Sequence, residues 1–226
     1  LSDNEILVRD WDTNPTYKSY RKGDRLDLGT WGMQCIGMFR SYQDIDEYFT
    51  KYNITSYMGY AKEDVKPGML IYKDVRGERQ ADGTYAAPDG VVSAENDQVR
   101  LSNRNNPYSM TMNLNAEWKG ISLTAQFNAS WGGYSFLPDD AISLGNQGTS
   151  ANNYNDLEYA NMPSFWNTDN MFVYNDVVDA AGNVVVKANR NGKYPNLRWS
   201  SVNAQKSSYW RISGTRIKLN RLTLAY

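Results

Sequence analysis

SMTMNLNAEWKGISLTAQFNASW, residues 109–131, alternates polar and apolar side chains at every position and resumes the alternation after a two-residue break. Met110, Met112, Leu114, Ala116 and Trp118 share one parity, and Ser109, Thr111, Asn113, Asn115 and Glu117 share the other. In an extended strand a period of two sends each set to its own face. Beyond Lys119-Gly120 the apolar set continues as Ile121, Leu123, Ala125, Phe127, Ala129 and Trp131, against Ser122, Thr124, Gln126, Asn128 and Ser130. A two-residue hairpin loop pairs Trp118 with Ile121, so the apolar sets of both strands fall on one side of the ribbon. Gly120 supplies the positive φ that such a turn needs, while Lys119 is a less usual first central residue.

Two surfaces accept an apolar strand face of this length, the core of a β-sandwich and the hydrocarbon of a bilayer. Ten residues at roughly 3.3 Å each, tilted by about 40°, span about 25 Å, the height of the apolar band of an outer-membrane barrel. Strands in soluble proteins more often run five or six residues. Trp118 at the turn and Trp131 at the far end, with Tyr108 and Tyr134 just beyond, bracket the Met, Leu, Ala, Ile and Phe between them. That is the layout of two interfacial aromatic girdles. On this pattern the turn at Lys119-Gly120 is expected on the periplasmic side. Residues 132–206 are expected to form a long extracellular loop. A soluble or surface carbohydrate-binding β-sandwich, or an adhesin module, stays open as the alternative.

Around the hairpin the signals are weaker. Residues 1–106 are rich in turn formers (WDTNPT, VKPG, ADG, APDG, NRNNP), with short strands expected near Met33–Phe39 and Met69–Lys73. Ser41 precedes a short helix-like run in which Ile45, Tyr48, Phe49 and Tyr52 recur at helical spacing. DAAGNVVV predicts a small hairpin around Gly182-Asn183. In the terminal SSYWRISGTRIKLNRLTLAY, Ile217 and Leu219 follow one register while Leu222, Leu224 and Tyr226 follow the other. A bulge near Asn220-Arg221 is therefore expected.

Composition excludes several classes. The chain has 226 residues, a net charge of -1, one cysteine and no histidine. Histidine-based triads and the usual zinc sites are ruled out, and an internal disulfide is impossible. A balanced charge gives no electrostatic case for a nucleic-acid partner. Mean hydropathy is -0.67, and no run of eighteen apolar residues occurs, which argues against a membrane-spanning helix but not against spanning strands. Cys35 is expected as a small, buried apolar side chain. The opening LSDNEILVRD has no basic segment followed by an apolar one and no initiator Met, so the chain is expected to be a piece of a longer protein.

The order of motifs carries more than any one of them. WGMQCIGMFRSYQDIDEYF from Trp31, KPGMLIYKDVRGE from Lys66, NPYSMTMNLNAEWKGISLTAQFNASWGG from Asn106, NGKYPNLRW from Asn191 and SSYWRISGTRIKLNRLTLAY from Ser207 follow one another. Together they resemble the C-terminal part of SusC/RagA-type TonB-dependent transporters, the outer-membrane importers of Bacteroidota. The resemblance implies an all-β fold, part of a 22-stranded transmembrane antiparallel barrel with long extracellular loops. Its plug domain, early strands and final strands lie outside residues 1–226. Many relatives carry a calcium-loop-like DxNxDG run after the second motif. Here the run reads Asp74-Val75-Arg76-Gly77-Glu78-Arg79, with Asp82, Asp89 and Asp97 following later, so a solvated turn without metal is expected.

The resemblance further implies import of a nutrient, an oligosaccharide or a peptide, across an outer membrane. The implied partners are a SusD-like surface lipoprotein as lid, TonB acting through the plug region, and outer-membrane lipid. No cofactor and no catalysis are implied. Ligand contact would come from loop aromatics and amides, whose rings stack on sugar CH faces and whose amides bridge hydroxyls: Tyr154, Trp166, Asn167, Tyr174 and Trp199. Carboxylate pairs such as Asp139-Asp140, or Asp44 and Asp46, could be offered as the acid and base of an enzyme, but no positioning motif surrounds them.

Overall fold

The computed structural model describes residues 16–19, 29–102, 108–142 and 166–226. In chain order the strands and helices are β1 (Thr30–Met33), β2 (Cys35–Met38), α1 (Tyr42–Tyr52), β3 (Ser56–Tyr57), β4 (Leu70–Tyr72), β5 (Val91–Val92) and β6 (Gln98–Ser102). Then come β7 (Tyr108–Trp118), β8 (Ile121–Trp131), β9 (Tyr134–Phe136), α2 (Asp139–Ile142), β10 (Val177–Val178), β11 (Val184–Val186), α3 (Ser200–Asn203), β12 (Arg211–Ser213) and β13 (Arg216–Ala225). Strands dominate and helices are few and mostly short, so the organisation is all-β; no closed barrel forms among the described residues. Two compact units result, one from residues 1–30, 100–136 and 210–226, the other from 31–99 and 137–209.

The first unit is built on the hairpin. β7 and β8 pair antiparallel without a slip from Tyr108 opposite Trp131 to Trp118 opposite Ile121. The turn is of the mirror-image kind that matches strand twist, with φ of 49° at Lys119 and 81° at Gly120. The lysine ammonium lies 4.8 Å from the centre of the Trp118 ring, so the residue that strains the turn gains a cation–π contact there. β13 joins the other edge of β8, giving the order β13-β8-β7. The expected bulge is present: Leu219 pairs with Phe127 and Arg221 with Gln126, leaving Asn220 extra. Past Trp131 the β8–β13 ladder continues as β9 paired with β12, from Tyr134 opposite Ser213 to Phe136 opposite Arg211. The stretch expected as loop from residue 132 thus opens with a strand that prolongs the sheet.

The second unit packs what the sequence reads as mostly loop. Ser41 caps α1 by accepting the Asp44 N–H, and the Asp44 carboxylate accepts in return from the Ser41 N–H, a reciprocal capping box. Asn53 ends the helix in the left-handed conformation with φ 52°. Ile45, Tyr48 and Phe49 are buried, whereas Tyr52, expected on the same face, is largely exposed. Their cover is aromatic: Phe39 meets Tyr48 edge-on at 5.5 Å and Tyr57 at 5.7 Å, and Tyr57 stacks on Tyr72 at 6.5 Å. Buried phenols must be hydrogen-bonded, and these are. Tyr48 donates to the Tyr72 carbonyl, Tyr57 to the Leu70 carbonyl and Tyr72 to the Val202 carbonyl. Asn203, at the end of α3, accepts the Leu70 N–H and donates to the Gly68 and Asn196 carbonyls. Residues more than a hundred positions apart are joined this way into one core. The strands expected near Met33–Phe39 and Met69–Lys73 appear as β2 and β4, paired antiparallel. The predicted small hairpin is β10–β11, with φ 86° at Gly182 and the Asp179 carboxylate holding the Ala181 and Asn183 N–H groups.

Candidate functional site

The three-stranded sheet has two chemically opposite faces. Across β7, β8 and β13 the aligned rows read Met110, Ala129, Ile217; then Met112, Phe127, Leu219; then Leu114, Ala125, Leu222; then Ala116, Leu123, Leu224. The bulge makes this possible, because a strand without it would turn Leu222 and Leu224 to the other side. Most of this face has no cover: Leu114 is 50% exposed, Ile217 76% and Leu224 71%. An apolar surface this continuous is not stable against water and calls for an apolar neighbour. Aromatics close both ends of it. Tyr108 and Trp131 stack at 6.0 Å at one end, while Trp118 and Tyr226 are exposed at the other. Tyr134 lies three residues past Trp131 in β9, its ring centre 4.1 Å from the Arg211 guanidinium.

The other face is polar throughout β7 and β8 and becomes basic along β13. Ser109, Ser130 and Arg216 form one row; Thr111, Asn128 and Lys218 the next; Asn113, Gln126 and Arg221 the third. Arg216 donates from Nε to the Ser130 hydroxyl at 3.0 Å, and Thr124 donates to Asn115 at 3.0 Å. A groove of about 590 Å³ lies at the Arg216 end of the sheet, lined by Ser109, Thr111, Asn128, Ser130, Arg216, Lys218 and Asn220 and also by Met110 and Ala129 of the apolar rows. These cations were not singled out in the sequence, yet the same alternation that assigns Ile217 and Leu219 to one face assigns Arg216 and Lys218 to the other.

Of the expected ligand-contacting residues, Trp166, Asn167, Tyr174 and Trp199 are described. Tyr154 lies outside the described residues. The Trp166 indole donates to the Ala141 carbonyl at 2.7 Å and packs on Tyr194 at 5.7 Å. The Asn167 side chain accepts from the Asp169 and Asn170 N–H groups, a local turn. Tyr174 is held between the Tyr42 ring edge at 5.5 Å and the Arg190 guanidinium at 4.3 Å. Trp199 carries the Arg198 guanidinium at 5.3 Å. Trp166 and Tyr174 thus contact residues distant in the sequence, whereas the contacts of Asn167 and Trp199 are local. A hollow of about 270 Å³ in this unit is lined by Gln34, Ile36, Tyr48, Tyr52, Lys73 and Asp74.

The acidic residues after β4 hold backbone. Asp97 is fully buried; its Oδ1 accepts from the Val75 and Arg76 N–H groups at 2.7 and 3.0 Å, and its Oδ2 from Ser93 at 2.8 Å. The Arg76 guanidinium donates to the Asn96 and Gln98 carbonyls. Asp74 accepts from the Gly90 N–H through Oδ2, while its Oδ1 is buried without a partner. Burial, with the nearby charges of Asp97 and Asp89, raises the Asp74 carboxyl above the ordinary carboxylate range. Among the described residues no group of three or more His, Cys, Asp or Glu is arranged to hold a metal.

Of the carboxylates offered as an acid–base pair, the side chains of Asp139 and Asp140 lie outside the described residues. Asp44 caps α1, and Asp46 pairs with Lys62 at 2.7 Å. Cys35 is half-buried and donates to the Gly37 carbonyl. Burial pushes its thiol up to about 11, far from a reactive thiolate. No helix of the described residues is long and apolar enough to cross a membrane. No protein-family model matches the chain, and no curated protein is significantly similar to it.

Proposed function

We propose that this chain is part of the barrel wall of a SusC/RagA-type TonB-dependent transporter. In that reading it imports an oligosaccharide or peptide across an outer membrane with a SusD-like lipoprotein as lid. The observation that carries the reading is the β13-β8-β7 sheet: a continuous apolar face, largely exposed apart from Ala125, and closed by aromatics at both ends. A bilayer is the apolar neighbour that such a face fits. Connection lengths agree, since the two-residue turn stands at one end of the sheet and residues 132–215 leave and return at the other. This is the asymmetry of short periplasmic turns and long outer loops. The resemblance of the ordered motifs supports the choice of family. Transport of this kind breaks no bond; the wall contributes a lipid-facing surface outside and a wetted one inside.

Single cysteines introduced into the full-length protein with Cys35 replaced provide the test. Leu114→Cys should react with a lipid-soluble probe and resist a membrane-impermeant maleimide, and Asn113→Cys should behave oppositely. Full-length protein that stays monodisperse without detergent or lipid would sink the proposal.

A further inference from the structure

We infer that the polar face of the β13-β8-β7 sheet binds an acidic, hydroxyl-rich solute, a carboxylate-bearing oligosaccharide. Arg216, Lys218 and Arg221 stand on this face in consecutive rows, on one strand. Cα atoms two apart on a strand lie about 6.6 Å from each other, so Arg216 and Lys218 present a ladder of charge and not a single point. Among the described residues no carboxylate pairs with any of the three. The one acid on the face, Glu117, is in the row next to the turn, opposite Ser122, far along the strand from Arg216. Positive potential is therefore concentrated over the groove at the end of the sheet away from the turn.

The rest of the lining selects among anions. Ser109, Thr111, Asn128 and Ser130 offer hydroxyl and amide groups beside the cations. A sugar acid presents hydroxyls to such groups and carboxylates to guanidinium and ammonium. An acidic peptide would also bring apolar side chains, for which the groove offers only Met110 and Ala129 among its lining residues. The inference narrows the cargo class of the proposed transporter, and it rests on that reading for the face being turned to a water-filled lumen.

The test uses full-length protein in detergent, titrated calorimetrically with hexagalacturonate and, separately, with neutral maltohexaose. Hexagalacturonate should bind and maltohexaose should bind at least about tenfold more weakly, the loss expected when hydrogen bonds to charged groups are forgone. Binding should weaken between 50 and 200 mM salt. Arg216→Gln with Lys218→Gln should lower the affinity for hexagalacturonate by at least about tenfold, and the charge-preserving pair Arg216→Lys with Lys218→Arg should restore most of it. Equal binding of the two sugars, no binding of hexagalacturonate, or a double variant that binds as the parent does would overturn the inference. Membrane insertion is read separately by heat-modifiable gel mobility. Inserted protein that fails to discriminate the sugars defeats this inference alone, whereas protein that never inserts defeats the transporter reading.

Discussion

Leu219 and Leu222 share one face of β13 although three positions separate them, because Asn220 is an extra residue between Leu219, opposite Phe127, and Arg221, opposite Gln126. Side chains alternate strictly along a strand, so residues three apart normally oppose each other. One inserted residue restores the parity and lets both ends of β13 extend a single apolar face. Deleting Asn220 should send either Ile217 and Leu219 or Leu222 and Leu224 to the polar side. The loss should amount to several kcal/mol, at about 1.5–3 kcal/mol for each apolar side chain displaced. Urea titration of the full-length protein refolded into lipid vesicles measures it; stability within about 0.5 kcal/mol of the parent, the range of a neutral surface change, would mean the bulge is dispensable.

Leu114 and Asn113 are neighbours on opposite faces of β7, and they should respond oppositely to charge. Leu114→Arg should cost roughly 2–4 kcal/mol in vesicles if that row lies near the bilayer midplane. Asn113→Arg, in the row that already holds Arg221, should fall below about 1 kcal/mol. Equal damage at both positions would contradict the two-faced assignment.

The turn residues offer a smaller effect of known sign. Lys119 adopts φ 49° and Gly120 φ 81°, the paired left-handed values that asparagine and glycine tolerate best. Gly120→Val should cost about 1–2 kcal/mol from backbone strain. Lys119→Asn should be neutral or stabilising, the strain relieved at the backbone being set against the lost contact with Trp118. The folding midpoint of the two variants decides between these outcomes.

Asp97 should be among the least replaceable polar residues of the second unit. Its carboxylate accepts three backbone N–H groups at full burial, from Val75, Arg76 and Ser93. Asp97→Ala leaves those donors without partners and should cost at least about 3 kcal/mol. Hydrogen exchange read by mass spectrometry should show the 75–76 and 93 amides losing protection together. Protection unchanged in the variant would mean that other acceptors replace the carboxylate.

Asp74 should give the opposite sign. Its folded-state pKa is raised by burial and by the charges of Asp97 and Asp89, so the folded state holds the proton more tightly than the unfolded chain. The stabilisation from this group is present in full below the unfolded value near 3.8 and is lost as pH rises through the raised folded value. At neutral pH the ionised group therefore works against the fold. Asp74→Asn keeps an acceptor for the Gly90 N–H and removes the charge, so it should stabilise the second unit at pH 7 and lose that advantage below pH 4. Thermal unfolding of parent and variant across that range checks the sign.

Parity along a strand is a property of the local backbone, so the two faces of β7 and β8, their turn, and the bulge in β13 could all be read from residue order alone. The same holds for the Ser41 cap and the Gly182 hairpin, each closed within a few residues by its own hydrogen bonds. Partner choice is not local. That β13 should return to the edge of β8 after residues 132–215, or that Asn203 should tie α3 to Leu70, depends on contacts whose loop-closure cost and packing gain no short window of sequence displays. The aromatic core of Phe39, Tyr48, Tyr57 and Tyr72 was illegible for that reason, since segments dense in turn residues read as loop until they are seen stacked on one another. Trp166, Tyr174 and Trp199 have the chemistry of ligand contacts, and only packing revealed their neighbours: Ala141 and Tyr194 for Trp166, Tyr42 and Arg190 for Tyr174, and Arg198 for Trp199. Arg216, Lys218 and Arg221 lay between: their face follows from alternation, but their union with Ser109, Thr111 and Asn128 into one groove required the register of three strands.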